Sequence, residues 1–264
     1  MRTALAASQQ EGRNQSACYN ARSMTAHNPI IIALDVESAA EARALVDRIG
    51  DHADFYKVGL ELFTAAGMDF VQELIGRRKN VFLDLKLYDI GETVKRTVAQ
   101  VARTGVRFLT VHSPAAVMRA AIEGRGTSEL KLLAVTVLTS FDQQDVNDLG
   151  YSRTLADLVE WRVRKAIEAG MDGLVGSPLE ARAIRAVAGP AAILVTPGVR
   201  SAGAGKGDQK RVATPAEAIS NGADYLVIGR EVTRAQDPAA AVQRILEDIR
   251  TMSRAQPAWT PSFT

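Results

Sequence analysis

Cysteine is almost absent from this chain, since Cys18 is the only one among 264 residues. A disulfide within the chain is therefore excluded, and a cysteine-based metal site is nearly so. Histidine is also scarce: His27, His52 and His112 are the only three, and they stand at no metal-ligand spacing. This inventory is typical of a reducing compartment, and we expect a cytoplasmic protein.

Long hydrophobic runs and an excess of charge of one sign are absent as well. No apolar run approaches the roughly 18 residues that a membrane span needs. The chain has 32 basic and 30 acidic residues, a net charge of +2. That balance indicates neither a nucleic acid nor a membrane surface as a partner. The 47% of hydrophobic residues is close to the average for a globular protein.

The two ends of the chain differ from its body. The polar N-terminal residues lack the apolar segment of a secretory signal, and their Arg and Ser content weakly resembles a transit peptide. We expect residues 1–28 to be a disordered extension instead, with Met24 as an alternative start. Pro257 and Pro261 interrupt any helix, so residues 253–264 are predicted to be an irregular tail.

Between these ends, short β-branched runs alternate with longer amphipathic stretches. Each interval is long enough for a loop, a helix and a return, which predicts an α/β fold with a parallel sheet. Eight such units within residues 29–252 predict a single (β/α)8 TIM barrel rather than an open doubly wound sheet. Ser38, Ser177 and Thr214 are predicted to precede helices, with Pro178 as a first helical residue. The candidate strands are 30–35, 54–59, 81–86, 106–112, 131–139, 171–176, 191–198 and 224–230.

Charged residues interrupt the third of these strands, in the segment FLDLKLYDI. Burying a charge is costly unless it is paired. By alternation Asp84 and Lys86 point into the barrel, at the carboxyl end where barrel enzymes carry their chemistry. Asp35 and Lys57 close the first two strands, so four charges are predicted to converge, with Asp89 just beyond. Such an array would keep a lysine protonated beside a substrate; a stabilising salt-bridge network is the alternative.

A second group of candidates follows the last two strands. Arg200 ends VTPGVR, a glycine-rich loop with Gln209 comes next, and Gly229 and Arg230 lead into a helix. Barrels often bind phosphate here, and arginine supplies paired donors for a dianion. The segment GAGKG does not meet P-loop spacing, and a flexible connector is the alternative interpretation. Thr139 in VLTS could bind a substrate or its own backbone.

Seven segments in order carry a family resemblance: ALD, YKVG, FLDLKLYDI, AVTVLTS, VTPGVR, GDQKR and VIGREVT. Together, over residues 29–250, they resemble the bacterial orotidine 5′-phosphate decarboxylases. The resemblance implies decarboxylation of orotidine 5′-phosphate to UMP and CO2, the last step of pyrimidine biosynthesis. It also implies that no metal or organic cofactor is needed and that the enzyme is a homodimer.

The resemblance assigns roles to individual residues. Lys86 would donate a proton to C6 of the pyrimidine, and Asp84 would sit beside the departing carboxylate. Lys57 and Asp89 would complete a Lys-Asp-Lys-Asp array, with Asp89 and Thr93 reaching into the partner subunit's site. The remaining substrate contacts would be Asp35 and Lys57 for the ribose, Thr139 for the base, Ile90 beside Asp89, and Arg200, Gln209, Gly229 and Arg230 for the 5′-phosphate.

One position departs from the family pattern. The family usually has proline after Asp-Ile, whereas Gly91 follows Ile90 here. Glycine loosens φ where proline would fix it, so the geometry around Asp89 is less constrained. Magnesium-dependent relatives of the 3-keto-gulonate-6-phosphate decarboxylase or hexulose-phosphate synthase type share D-x-K-x-x-D, often with small residues after it. A catalytically silent nucleotide-binding or scaffold module is a third interpretation. Gln209 and VLTS favour the pyrimidine enzyme over the magnesium-dependent relatives.

Overall fold

Eight parallel strands pair in sequence order and the last pairs with the first, which closes a barrel. The computed structural model describes residues 28–201 and 213–255. The predicted (β/α)8 barrel is thus confirmed, and each predicted strand is found in its place. The strands are β1 (Ile30–Ala33), β2 (Phe55–Gly59), β3 (Asn80–Leu87), β4 (Phe108–His112), β5 (Lys131–Val135), β6 (Gly173–Val175), β7 (Ile193–Thr196) and β8 (Tyr225–Ile228).

Helices follow the strands around the outside of the barrel. None in the described part of the chain is long and apolar enough to cross a membrane. They are α1 (Ala39–Ile49), α2 (Leu60–Gly76), α3 (Gly91–Val101), α4 (Ala115–Arg125), α5 (Gln143–Asp148), α6 (Leu155–Ala169), α7 (Ala181–Ala188), α8 (Pro215–Ser220), α9 (Arg230–Thr233) and α10 (Pro238–Ala255), with a short 3₁₀ turn at Gly50–His52.

The predicted helix starts are right in two cases and wrong in one. Ser38 caps α1 by accepting the Glu41 N–H, and Thr214 caps α8 in a capping box. The helix after Ser177 begins only at Ala181. Ser177 instead caps a turn, because its carbonyl accepts the Glu180 N–H and its hydroxyl accepts the Leu179 N–H.

The predicted terminal segments lie mostly outside the described residues. Residue 28 is described, and the rest of the expected extension 1–28, including Met24, is not. Helix α10 continues to Ala255, so the first residues of the predicted irregular tail 253–264 are helical. The amphipathic pattern before Pro257 is what extends this helix.

The lower half of the barrel interior is filled by aromatic rings. Phe55, Phe82 and Phe108 are almost fully buried, and Tyr225 packs edge-on against Phe55 and Phe108. Their ring centroids are 5.0 to 6.0 Å apart, a range in which aromatic pairs attract one another. Because inward positions alternate, the next inward residues on β2, β3 and β4 come two positions later.

Those next residues are polar. Lys57 follows Phe55 on β2, Asp84 follows Phe82 on β3, and Thr110 follows Phe108 on β4, and all three are buried. The interior therefore changes from aromatic to ionic within one step along three neighbouring strands. This change places the polar groups at the carboxyl ends of the strands.

Helices α3 and α4 approach each other at Gly124. A Cβ atom at this position would lie 2.2 Å from the Lys95 carbonyl oxygen. We expect Gly124→Ala to lower the free energy of unfolding by about 1–3 kcal/mol, because the helices must separate to admit the methyl group. Urea unfolding measures the change.

The matched control is Gly76→Ala at the end of α2, where an added Cβ meets nothing within 4 Å. This variant should be as stable as the wild type or more so, since alanine favours helix over glycine. Equal stability of both variants would contradict the predicted clash at Gly124.

Candidate active site

Four charged side chains form a continuous chain at the carboxyl end of the barrel. The Lys57 ammonium lies 2.8 Å from Asp35 Oδ1 and 3.8 Å from Asp84 Oδ2. The Lys86 ammonium lies 2.9 Å from the same Asp84 oxygen. The signs therefore alternate from Asp35 to Lys86, and the structure brings together the four charges that alternation along the strands placed at this end.

Asp84 is the buried centre of this chain. Its Oδ2 faces both lysines, and its Oδ1 accepts a hydrogen bond of 2.9 Å from the Thr110 hydroxyl. Burial would by itself raise the pKa of Asp84, but Lys57, Lys86 and these hydrogen bonds outweigh it, so the pKa is lowered. The carboxylate is therefore ionised near neutral pH and holds two ammonium groups in place.

Lys86 occupies an unusual backbone conformation. Its φ is +49°, in the left-handed region that non-glycine residues seldom adopt, and the pairing register of β3 with β4 shifts between Leu83 and Leu87. The Lys86 N–H donates 2.9 Å to the Thr110 hydroxyl oxygen, which in turn donates to Asp84. One threonine thus supports both the bent backbone and the carboxylate, and strain of this kind is common at functional sites.

Gly59 makes room for the first ion pair. A Cβ atom at this position would lie 2.8 Å from the Lys57 ammonium and 3.4 Å from Asp35 Oδ1. Any larger residue would displace the lysine from its partner. Sequence reasoning identified neither Gly59 nor Thr110; Thr110 could have been found, because it shares the inward face of β4 with Phe108 and His112.

The segment after β3 is exposed. Asp89 accepts the Ile90 N–H at 2.6 Å and lies outside the chain of ion pairs that the described residues form within one subunit. Ile90 and Tyr88 are 77% and 68% exposed, high values for large side chains, and Thr93 on α3 is exposed as well. These residues therefore present a partly apolar surface beside Lys86.

His112 ends β4 beside this segment. Its ring lies 5.6 Å from the Tyr88 ring, and both border a cleft of about 310 Å³ together with Lys86, Asp89 and Thr93. Burial, followed by the nearby Arg162 and Lys86 cations, lowers the pKa of His112. The imidazole is therefore neutral at physiological pH.

Two arginines follow the last two strands, at the same end of the barrel as the lysines. Arg200 follows β7, and Arg230 begins α9 directly after Gly229. Burial lowers the pKa of Arg200, and the Arg230 cation lowers it further. Arg200 therefore lies within the electrostatic field of Arg230. Gln209 lies outside the described residues. Paired guanidinium groups beside a barrel mouth are suited to a phosphate dianion.

Thr139 is buried, but it does not belong to β5 as predicted. The strand ends at Val135, and just beyond it the Thr136 N–H and hydroxyl both donate to the Val175 carbonyl. Thr139 therefore lies in the segment that follows the strand, at the same end of the barrel as the charges.

The fold and these groups define a class of protein: a (β/α)8-barrel enzyme with its reaction site at the carboxyl ends of the strands. Residues 28–245 match the family described as "Orotidine 5'-phosphate decarboxylase / HUMPS family". The chain belongs to this family, and the resemblance found in the sequence is confirmed.

Curated relatives and solved structures agree. An orotidine 5′-phosphate decarboxylase of Rhodopseudomonas palustris (strain ATCC BAA-98 / CGA009) is 52% identical over 220 residues, which cover 83% of this chain and 93% of that protein. One of Methylobacterium sp. (strain 4-46) is 51% identical over 229 residues, covering 86% and 97%. The crystal structure of orotidine 5′-phosphate decarboxylase from Lactobacillus acidophilus superimposes with a TM-score of 0.75 at 35% identity, covering 84% and 99%.

Gly91 replaces the proline expected after Asp-Ile, and the structure shows what proline would meet there. Gly91 is the first residue of α3, where proline is well tolerated, and Ile90 before it already has φ −53° and ψ 137°. A Cβ atom at Gly91 would lie 3.5 Å from the Ala120 Cβ, an ordinary contact.

We expect Gly91→Pro to raise the free energy of unfolding by about 0.4–1 kcal/mol, because it restricts the unfolded chain and the native backbone already suits it. Urea unfolding measures this, with Gly91→Ala as the control that adds the Cβ without the ring. A destabilised proline variant beside a stable alanine variant would show that the ring does not fit here.

Proposed function

We propose that this protein decarboxylates orotidine 5′-phosphate to UMP and CO2 without a metal or organic cofactor, with Lys86 as the proton donor. The observation that carries the proposal is the Asp35–Lys57–Asp84–Lys86 chain, with two arginines at the same end of the barrel. Family membership and relatives of about 50% identity support the same reaction.

In the proposed reaction the bond from C6 to the carboxyl carbon breaks, and CO2 leaves its electron pair on C6. The Lys86 ammonium then gives its proton to C6 and becomes a neutral amine. Asp84, ionised and 2.9 Å away, holds that ammonium in position before the reaction. A preorganised cation next to the developing negative charge is the stabilisation that this reaction requires.

Asp84 leaves little place for a metal ion in this scheme. One of its oxygens faces two ammonium groups and the other is bound by the Thr110 hydroxyl. A magnesium ion, which the related sugar-phosphate enzymes of our sequence analysis use, would have to displace Lys57 or Lys86 to bind this carboxylate. This geometry favours the cofactor-independent reaction.

The remaining substrate contacts are those that the family resemblance implies. Asp35 and Lys57 are proposed to hold the ribose hydroxyls, and Thr139 the base. Arg200 and Arg230, with Gln209 and Gly229, are proposed to hold the 5′-phosphate. Binding energy from the phosphate, remote from C6, would help to fix the pyrimidine against Lys86. We place the enzyme in the cytoplasm as part of the same proposal.

We further propose a homodimer in which Asp89, Ile90 and Thr93 contribute to the partner's site. The support is their exposure: Asp89 is not used by the ion-pair chain of its own subunit, and the 77% exposed Ile90 is an apolar group suited to burial by a partner.

Lys86→Ala is expected to lose orotidine 5′-phosphate turnover by at least about four orders of magnitude, because both the proton donor and the main cation at C6 are removed. Turnover is followed by absorbance with excess EDTA present. The matched control is Lys165→Ala, which removes a half-buried lysine paired with Glu168 on α6, away from the site, and should leave the rate unchanged.

Wild-type turnover that needs Mg²⁺ would contradict the cofactor-independent reaction and favour the magnesium-dependent relatives. A Lys86→Ala enzyme with near wild-type rates would refute the assigned proton donor.

Mixing two inactive variants tests the shared site. Lys86→Ala and Asp89→Asn subunits, unfolded together and refolded at equal amounts, should recover about one quarter of the wild-type activity. Half of the dimers are then mixed, and each has one site with an intact Lys86 and an intact Asp89.

The control mixture is Lys86→Ala with Asp84→Asn, two changes in residues that act within one subunit's site. No mixed dimer of these variants has an intact site, so no activity should return. Failure of the first mixture to exceed this control would place Asp89 in its own subunit's site.

A further inference from the structure

The segment after β7 (residues 199–200) and the segment before α8 (residue 213) are bound to each other, and together they form a stem. Val199 pairs with Ala213 in a parallel bridge, and the Arg200 N–H donates 3.0 Å to the Ala213 carbonyl. The Val199 side chain is fully buried. The backbone at Arg200 is therefore fixed to the segment that returns to α8.

A second connection reaches the same stem from β8. Glu231, the second residue of α9, accepts the Ser201 N–H at Oε2, 3.0 Å away, and the Ser201 hydroxyl at Oε1. Hydrogen bonds to an ionised carboxylate are among the stronger ones in proteins. This two-point contact joins the residue after Arg200 to the residue after Arg230.

The charge of Glu231 is unexpected at this place. Burial lowers the pKa of Arg200, repulsion from Arg230 lowers it further, and Glu231 acts on that pKa in the opposite direction. A carboxylate in the field of both arginines offsets part of the positive potential that would attract a phosphate dianion. A residue that opposes ligand binding by its charge must have another effect there, and the contact with Ser201 supplies one.

We propose that Glu231 is a positioning residue of the phosphate subsite: through Ser201 it ties the exit of β7, and so Arg200, to the helix that begins with Arg230. The proposal rests on the proposed function, because it takes the arginine pair as the phosphate site. Glu231 touches no substrate in this scheme; it sets the spacing of two guanidinium groups that must bind one anion.

Two substitutions separate the charge of Glu231 from its contact. Glu231→Gln removes the charge but keeps both hydrogen bonds, since the amide oxygen can accept the Ser201 N–H and the amide nitrogen can donate to its hydroxyl oxygen. Glu231→Ala removes both the charge and the contact. Because the two variants lose the same charge, the difference between them measures positioning alone.

The readout is the affinity for UMP, uridine and inorganic phosphate, measured by calorimetry. Glu231→Gln should bind UMP and phosphate about threefold more tightly than the wild type, and Glu231→Ala about tenfold more weakly. Ser201→Ala keeps only the backbone contact and should fall between wild type and Glu231→Ala. Uridine, which lacks the phosphate, should bind all of them within about twofold of the wild type.

The control for charge removal is Glu160→Gln on α6, an exposed acid paired with Arg164 outside the site, which should bind all three ligands as the wild type does. Equal UMP affinity of Glu231→Gln and Glu231→Ala would overturn the proposal. So would an equal loss of uridine and UMP binding, since a general structural defect weakens both.

The failure of the proposed function has a different signature. If wild-type protein binds inorganic phosphate but neither UMP nor uridine, the pyrimidine assignment is wrong. The order of the variants toward inorganic phosphate then still decides the role of Glu231, because that probe needs only the arginine pair.

Discussion

The contact of Asp84 with two lysines is the interaction on which the rest of the site depends. A carboxylate this deeply buried is stable as an ion only because Lys57, Lys86 and Thr110 surround it. Lys57 is itself buried and needs Asp84 and Asp35 in return. Removing one member would leave an uncompensated charge out of water, so these groups form one unit rather than a set of separate contributions.

The barrel brings these charged groups together through the register of β2 with β3 and through one irregularity in the pairing of β3. Gly59 and Asp84 are paired across β2 and β3, so the smallest side chain lies next to the central carboxylate. Beyond Asp84 the strand departs from regular pairing, and the positive φ of Lys86 brings its ammonium back onto the same carboxylate. The strained backbone at Lys86 opposes stability, and Thr110 compensates part of that strain.

The features that could be predicted from the sequence are those that a single strand determines. Apolar runs located all eight strands, and alternation placed the charges on the inward face. Features that depend on two strands were missed, because no local pattern reports them: the role of Gly59, the double contact of Thr110, and the φ of Lys86. Glu231 meets a residue 30 positions earlier only through the closed barrel. The helix start predicted after Ser177 was wrong for another reason, since a serine before proline can cap a turn as readily as a helix.

The buried aromatic rings form the floor of the site below the ionic chain. Phe55, Phe82, Phe108 and Tyr225 pack against one another directly beneath the charged residues. A molecule that binds at the strand carboxyl ends would therefore enter and leave by the same opening. The residues at the rim of this opening are thus placed to influence the release of a bound molecule as well as its binding.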